Sequence, residues 1–339
     1  MPQDTYDARI VMASIDNPLN QATELCREEL RSVDACIRRE LDSDVMMIPA
    51  IGNYIVDSGG KRLRPLLCIL SARLFSYSGE RHIPLSVVVE FLHTASLLHD
   101  DVVDSSEVRR GTPSANGVWG NQASVLVGDF LFSRAFEMMV ADGHMDVLAL
   151  LSKVSNTLAE GEVLQLVRTF HLEMTEAEYL EVVESKTAIL FSAATEIGAR
   201  VSGQDDETIR RMAEYGMCLG VAFQLMDDVL DYAADAEEVG KPVGHDLEEG
   251  KITLPLIHAM QQDPDLYAMV EAIAERDGYA EGEREAVRDA VQSAGGVERC
   301  LEAAAEYAGR AKSCLPESAD SATRRLMADL ADFSAHRNH

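Results

Sequence analysis

Residues 84–104 read PLSVVVEFLHTASLLHDDVVD, and the fold turns on whether the Val87-Val88-Val89 run inside them is strand or helix. Three consecutive valines favour strand on propensity. The length of the apolar stretch and the stripe Phe91, Ala95, Leu98 favour helix, because those residues recur on one face of a 3.6-residue turn. Pro84 opens that helix, and it ends in the pentad Asp100-Asp101-Val102-Val103-Asp104. Residues four apart share a helix face, so Asp100 and Asp104 project together. A second pentad, Asp227-Asp228-Val229-Leu230-Asp231, closes another apolar stretch and aligns Asp227 with Asp231. Carboxylates crowded on an apolar helix repel one another and are costly to bury. Something cationic must neutralise them. Hard oxygen donors suit Mg²⁺, which usually takes one or two carboxylates and lets substrate phosphates complete its shell.

Outward from these pentads, helical periodicity dominates. It predicts helices over 17–42, with Leu25, Leu30, Val33 and Ile37 among the apolar positions, from Asn121 to about Ala141, and over roughly 145–171. Thr175 with Glu178 matches a capping box, and the helix it opens is expected to reach Gly203. A further helix from about Asp206 carries the second pentad. Gly59-Gly60 breaks the chain before Pro65, which suits a first helical turn. Residues 105–119 (Gly111, Pro113, Gly117) and 234–250 (Gly240, Pro242, Gly244, Gly250) predict loops. The remainder, to about 335, reads as acidic helices with short turns. No linker or boundary stands out, so the expectation is one all-α domain over 1–339.

The 339 residues, 47% hydrophobic, can bury a sizeable core. Thirty Lys and Arg against 58 Asp and Glu leave a net charge of -28. That field disfavours nucleic acid and anionic lipid surfaces as partners. It would also repel a phosphorylated substrate unless basic groups and metal ions reverse it locally. Solubility, or life at high salt, accounts for most of the acid excess. None of Cys26, Cys36, Cys68, Cys218, Cys300 and Cys314 forms a C-x-x-C pair, which points to reduced thiols. The start MPQDTYDARI lacks a signal pattern, and no apolar run is long enough to span a bilayer. A soluble, cytoplasmic protein is expected.

In so acidic a chain, clustered cations are informative. Gly60-Lys61-Arg62-Leu63-Arg64-Pro65 precedes the first pentad, and Arg109-Arg110-Gly111 follows it. Glycine lets backbone approach an anion, and Arg and Lys bond phosphate oxygens. On composition alone the first cluster is equally well read as a solvated basic turn, and the second as ion pairing with Glu107. Gln224 lies three residues before Asp227. Lys241 and Lys251 flank Asp246 in the second glycine-rich loop, and Lys186-Thr187 sits in the capped helix, where a lone lysine is usually exposed.

Together, LLHDDVVDSSEVRRG (97–111), GKRLRP (60–65), SKTA (185–188), FQLMDDVLDY (223–232) and GKPVGHDLEEGKITLP (240–255) resemble the trans-polyprenyl diphosphate synthases. The resemblance covers about 20–335. The segments FLHTASLLHDDVVD, NQASVLVGDFLFSRAFEMM and LAEGEVLQL are most similar to the bacterial octaprenyl branch, which makes quinone side chains. It implies an all-α bundle of the isoprenyl synthase type with a central active-site cavity, a homodimer, and Mg²⁺-assisted condensation of isopentenyl diphosphate onto an allylic diphosphate. It implies that Asp100 and Asp104 bind two Mg²⁺ and that Asp227, supported by Asp231, binds a third. Arg109, Lys186, Gln224, Lys241 and Lys251 would contact the allylic diphosphate, and Thr187 would stabilise the allylic cation. Lys61, Arg64, His93 and Arg110 would hold isopentenyl diphosphate. Asp101 and Asp228 carry less weight, because the family's metals mostly use the outer members of each pentad.

The growing tail is expected to run along the helix of the first pentad, past the small Ala95 and Ser96, to a floor at Phe132 or Phe136, or at Leu92 or Val88. Such aromatics are more often plain core. The product would be octaprenyl diphosphate or near it, passed on to a membrane. A shorter-chain synthase making geranylgeranyl diphosphate shares the same motifs. A non-catalytic subunit would be expected to lose parts of the pentads, and a terpene cyclase to lack Lys61, Arg64 and Arg110. A metal-buffering acidic protein leaves the basic clusters unexplained.

Overall fold

The structure, a computed structural model, describes residues 17–57, 60–109, 111–233, 244–276, 278–317 and 319–336. Its chain contacts gather into two compact units. One comprises 1–151, 193–214 and 314–333; the other comprises 152–192, 215–313 and 334–339.

The first unit is built around α5 (His82–Val103), the helix that the opening stretch predicts. Val87, Val88 and Val89 are all buried in it, so a continuous core face, not a sheet, absorbs the β-branched run. It packs against α2 (Arg27–Glu40), α4 (Leu63–Leu74) and α7 (Asn121–Asp142). The helix expected over 17–42 is two helices, α1 (Pro18–Leu25) and α2. The chain breaks at Cys26, whose φ of -104° and ψ of 17° leave the helical region. A helix the sequence did not announce, α3 (Met47–Asp57), packs against α7. The loop expected over 105–119 contains a two-residue antiparallel pair, β1 (Val108–Arg109) and β2 (Thr112–Pro113), and then a short helix, α6 (Ala115–Trp119). Ser114 caps α6 by accepting from the Gly117 N–H. Elements of two to five residues are too short for a periodic pattern to show, and composition alone reads them as loop.

The second unit takes its site from four elements. α8 (Met145–Val167) enters it and ends four residues before the expected 171. α9 (Glu176–Val183) opens with the Thr175–Glu178 capping box as read. The helix then widens into a single π turn, Glu184–Ala188, before resuming as α10 (Ile189–Val201). α11 (Asp206–Ala233) carries the second pentad. Residues 234–243 of the second expected loop lie outside the described residues, and its end forms α12 (His245–Glu248). The acidic helices expected beyond it are α13 (Leu254–Met260), α14 (Pro264–Arg276), α15 (Glu283–Ser293), α16 (Gly296–Cys314) and α17 (Ser321–His336). All six cysteines are free thiols, five of them buried. No helix among the described residues is long and apolar enough to cross a membrane.

Candidate active site

The middle aspartate of each pentad faces inward. Asp101 and Asp228 are each 2% exposed, whereas Asp100, Asp104 and Asp231 are partly exposed and Asp227 is exposed. A helix with residues i and i+4 on its outer face necessarily turns i+1 elsewhere, and here that direction is the core.

In the first unit, Arg109 lies beside Asp101. Its Nε and Nη2 both stand 2.6 Å from Asp101 Oδ1. Burial pushes the Asp101 carboxyl up, and the guanidinium opposes that. The Asn116 amide donates to the Asp101 carbonyl at 3.0 Å, fixing the turn after the pentad. The strand pair β1–β2 thus holds Arg109 against Asp101 of the first pentad. Arg110 lies outside the described residues.

The Gly60–Pro65 segment is pinned by its central residue. Arg62 sits at a left-handed φ of 46°. It donates to the Val56 carbonyl at 2.7 Å and pairs with Asp34 at 3.3 Å and with Glu90 at 3.2 Å. Glu90 is on α5, three residues before His93, so both lie on one face. Arg62 is therefore a structural anchor, and Lys61 and Arg64 flank it. Lys61 is exposed; Arg64 and His93 are partly buried. His99 lies close to the Val125 carbonyl, 3.2 Å, and to Asp129, 3.4 Å, in keeping with a structural role. Ala95 is fully buried and Ser96 donates to the His93 carbonyl at 2.9 Å. Phe132 and Phe136 stack on α7 with centroids 6.0 Å apart.

In the second unit, the π turn presents Lys186 and Thr187. Lys186 pairs with Glu162 of α8 at 2.5 Å. Thr187 donates to Gln224 Oε1 at 2.9 Å, and Gln224 Nε2 donates to Asp228 Oδ1 at 2.8 Å. The Tyr179 phenol donates to the other Asp228 oxygen. Burial raises the Asp228 carboxyl to about 7, against the bonds from Tyr179 and Gln224. Asp231 accepts the backbone N–H groups of His245 at 3.2 Å and Asp246 at 3.1 Å, so it also anchors the start of α12. Burial raises its carboxyl and those N–H groups pull it back. Lys251 pairs with Glu249, and Lys241 lies outside the described residues. Sequence reading did not single out Tyr179 or Glu162. Tyr179 looks like a core aromatic, and nothing in LAEGEVLQL distinguishes Glu162 from a solvated acid.

The match to the family model for polyprenyl synthetase runs over residues 45–291. The chain belongs to the polyprenyl synthetase family. The octaprenyl diphosphate synthase of Escherichia coli (strain K12) is 43% identical over 320 residues, which is 94% of this chain and 99% of that protein. A polyprenyl synthase from Caulobacter crescentus CB15, solved in complex with calcium and isoprenyl diphosphate, is 41% identical with a TM-score of 0.90, covering 95% of this chain and 98% of that one. A decaprenyl diphosphate synthase from Rhodobacter capsulatus is 39% identical with a TM-score of 0.89, covering 95% and 99%.

For a polyprenyl synthetase the donor set is apt. Asp100 and Asp104 put hard oxygens one turn apart at a helix end, as Mg²⁺ requires. Among the described residues no group of three or more His, Cys, Asp or Glu is placed to hold a metal ion. The fit is therefore to an ion whose remaining ligands come from water and a diphosphate.

Proposed function

We propose that this chain is a long-chain all-trans polyprenyl diphosphate synthase, adding isopentenyl diphosphate units to an allylic primer such as farnesyl diphosphate and ending at octaprenyl diphosphate for quinone side chains. The observation that carries the reading is the division of labour within each pentad. The outer carboxylates reach solvent, while the middle ones orient Arg109 and Gln224, two side chains that the family motif assigns to the allylic diphosphate. Asp100 and Asp104, with Asp227 supported by Asp231, are the residues that would hold Mg²⁺, in all three ions. When bound, Mg²⁺ neutralises the charge that grows on a departing diphosphate.

The chain's own groups do the rest. Arg109, Lys186, Lys241 and Lys251 bring positive charge to the allylic diphosphate. Lys186 exchanges its Glu162 partner for a phosphate oxygen. The Thr187 oxygen faces the allylic carbon as its C–O bond breaks and the electron pair leaves with diphosphate. Lys61, Arg64, His93 and Arg110 hold isopentenyl diphosphate, whose double bond attacks that carbon. The released diphosphate takes the proton, so no side chain is needed as base. The apolar path past Ala95 and Ser96 receives the tail, with Phe132 or Phe136 as its floor.

We read residues 1–339 as one catalytic domain of a cytoplasmic homodimer. Leu126 and Val140, 66% and 65% exposed, share one face of α7 and support a self-association surface. The deciding assay incubates the purified protein with labelled isopentenyl diphosphate, farnesyl diphosphate and Mg²⁺ and sizes the lipid. An octaprenyl product is expected, and Ala95→Phe should shorten it. A product stopping at geranylgeranyl diphosphate would refute the long-chain reading, and no product at all would refute the enzyme.

A further inference from the structure

Four side chains of the second unit form one continuous hydrogen-bonded row: Tyr179, Asp228, Gln224 and Thr187. Tyr179 is 5% exposed and gives its phenolic proton to Asp228 Oδ2. Gln224 Nε2 donates to Asp228 Oδ1 at 2.8 Å, and Thr187 Oγ1 donates to Gln224 Oε1 at 2.9 Å. The direction of these bonds follows from the chemistry of the far end. The ionised form of Asp228 only accepts, so above its raised pKa the nitrogen of the Gln224 amide faces it. The amide oxygen is then left for Thr187, and it too only accepts. The single hydroxyl proton of Thr187 is thereby committed to Gln224. What Thr187 presents on its other side is oxygen lone pair alone.

That polarity matters to a carbon losing an electron pair to diphosphate. An oxygen lone pair stabilises the growing positive charge; a hydroxyl proton at the same place repels it. A rotating hydroxyl would offer either. Electrostatic stabilisation is strongest when the dipole is fixed before the charge appears.

We infer that Tyr179 and Asp228 are positioning residues that hold the Thr187 hydroxyl in its acceptor orientation toward the reacting allylic carbon. The inference rests on the synthase reading above and adds to it two residues that do not touch substrate. Tyr179 is well suited to the task. It comes from α9, 49 residues before Asp228, and its ring is buried, so it restrains rotation of the Asp228 carboxylate at little entropic cost.

The test is a double-mutant cycle on single-turnover condensation of farnesyl diphosphate with labelled isopentenyl diphosphate. Thr187→Val removes the oxygen and keeps the shape; a loss of about 100-fold in rate is expected, the size of one preorganised electrostatic contact. Thr187→Ser should retain most of the rate. Tyr179→Phe should slow the reaction by about tenfold, equivalent to one net hydrogen bond, with the KM for farnesyl diphosphate little changed. Adding Tyr179→Phe to Thr187→Val should cost nothing further, because residues acting through one another are non-additive. If Tyr179→Phe slows the Thr187→Val enzyme by the same factor as the parent, or leaves the parent unaffected, the inference is wrong. Should thermal melting show Tyr179→Phe unfolded at the assay temperature, Asp228→Asn, which keeps the shape and removes the all-acceptor carboxylate, replaces it in the cycle, and an additive result again overturns the row. Absence of any product from the parent protein would instead sink the synthase reading, so the two failures are distinct.

Discussion

Asp101 and Arg109 show what a single residue contributes when its partner is buried. Asp101 is almost wholly inside, and Arg109 supplies both of its side-chain contacts at 2.6 Å. Removing one member of such a pair leaves the other charge poorly solvated. Arg109→Ala should therefore lower stability by about 2 kcal/mol, between the values for an exposed and a fully buried pair, read as a fall in the urea midpoint at constant m. It should also slow condensation. Arg109→Lys keeps the charge but not the fork, and should recover stability more than rate. An unchanged urea midpoint for Arg109→Ala would show that the buried carboxyl is satisfied without it. His82 carries the corresponding pH dependence. It is 8% exposed, stacks edge-on against Tyr77 at 5.5 Å, and burial holds its pKa below the ordinary 6.5. The folded state thus prefers the neutral ring. Below pH 6.5 the unfolded chain binds the proton first, so the contribution of His82 to stability falls as pH drops from 6.5 towards the folded value, opposite in sign to that of the raised Asp228 carboxyl. His82→Phe should flatten that part of a melting-temperature profile taken between pH 7.5 and 5.5. A profile of unchanged slope would place the acid sensitivity in another group.

At the scale of elements, the π turn Glu184–Ala188 is the feature that presents Lys186 and Thr187. It is held between two glycines. A Cβ on Gly161 of α8 would lie 2.8 Å from Ser185 Cβ and 3.0 Å from the Lys186 nitrogen; one on Gly220 of α11 would lie 2.6 Å from Ala188 Cα. Real Cβ atoms do not approach backbone so closely, so either glycine replaced by alanine must push the turn away. Gly161→Ala should displace Lys186 and Thr187 and cut the condensation rate at least tenfold, while the protein still melts cooperatively; a rate within about twofold of the parent would mean the turn tolerates the shift. The sequence did not reveal this. It announced the element's start, because a capping box is local chemistry between Thr175 and Glu178. It could not announce the widened turn, because what packs against it is two glycines 59 residues apart, on other helices. The same contrast holds elsewhere. The 22-residue α5 and the helix from Asp206 were legible from their own periodicity. The break at Cys26, the helix Met47–Asp57 and the β1–β2 pair were not: the break and the pair are too short to carry a periodic pattern, and the helix packs against one about 70 residues on. Among the candidate residues, charge made Arg109, Lys186 and both pentads visible. Tyr179 stayed hidden, because a tyrosine on a helix face carries no sign that its hydroxyl meets an aspartate 49 residues away.

At the scale of the whole molecule, the charge balance decides how the protein responds to salt. If every one of the 30 Lys and Arg paired with an acid, 58 - 30 = 28 carboxylates would still lack a cation. Many of the pairs that do form are exposed, such as Arg38–Asp57 and Arg284–Glu248, and such pairs add little stability. Two electrostatic contributions then oppose one another as ionic strength rises. Screening weakens the exposed pairs, which lowers stability, and it weakens repulsion among the surplus carboxylates, which raises it. The surplus acts over longer distances, so it is screened first. The Debye length falls from about 30 Å at 0.01 M to about 3 Å at 1 M, and distant like charges are lost from the sum before contacts at 3 Å are affected. The melting temperature should therefore climb as sodium chloride is raised from about 0.01 to 1 M, with each ~1 kcal/mol of relieved repulsion worth about 2 °C in a chain of this size. Sucrose at matched osmolality carries no charge and separates screening from solvent exclusion. A melting temperature that falls or stays level with salt would mean that the ion pairs, not the unpaired acids, govern the electrostatics of the folded chain.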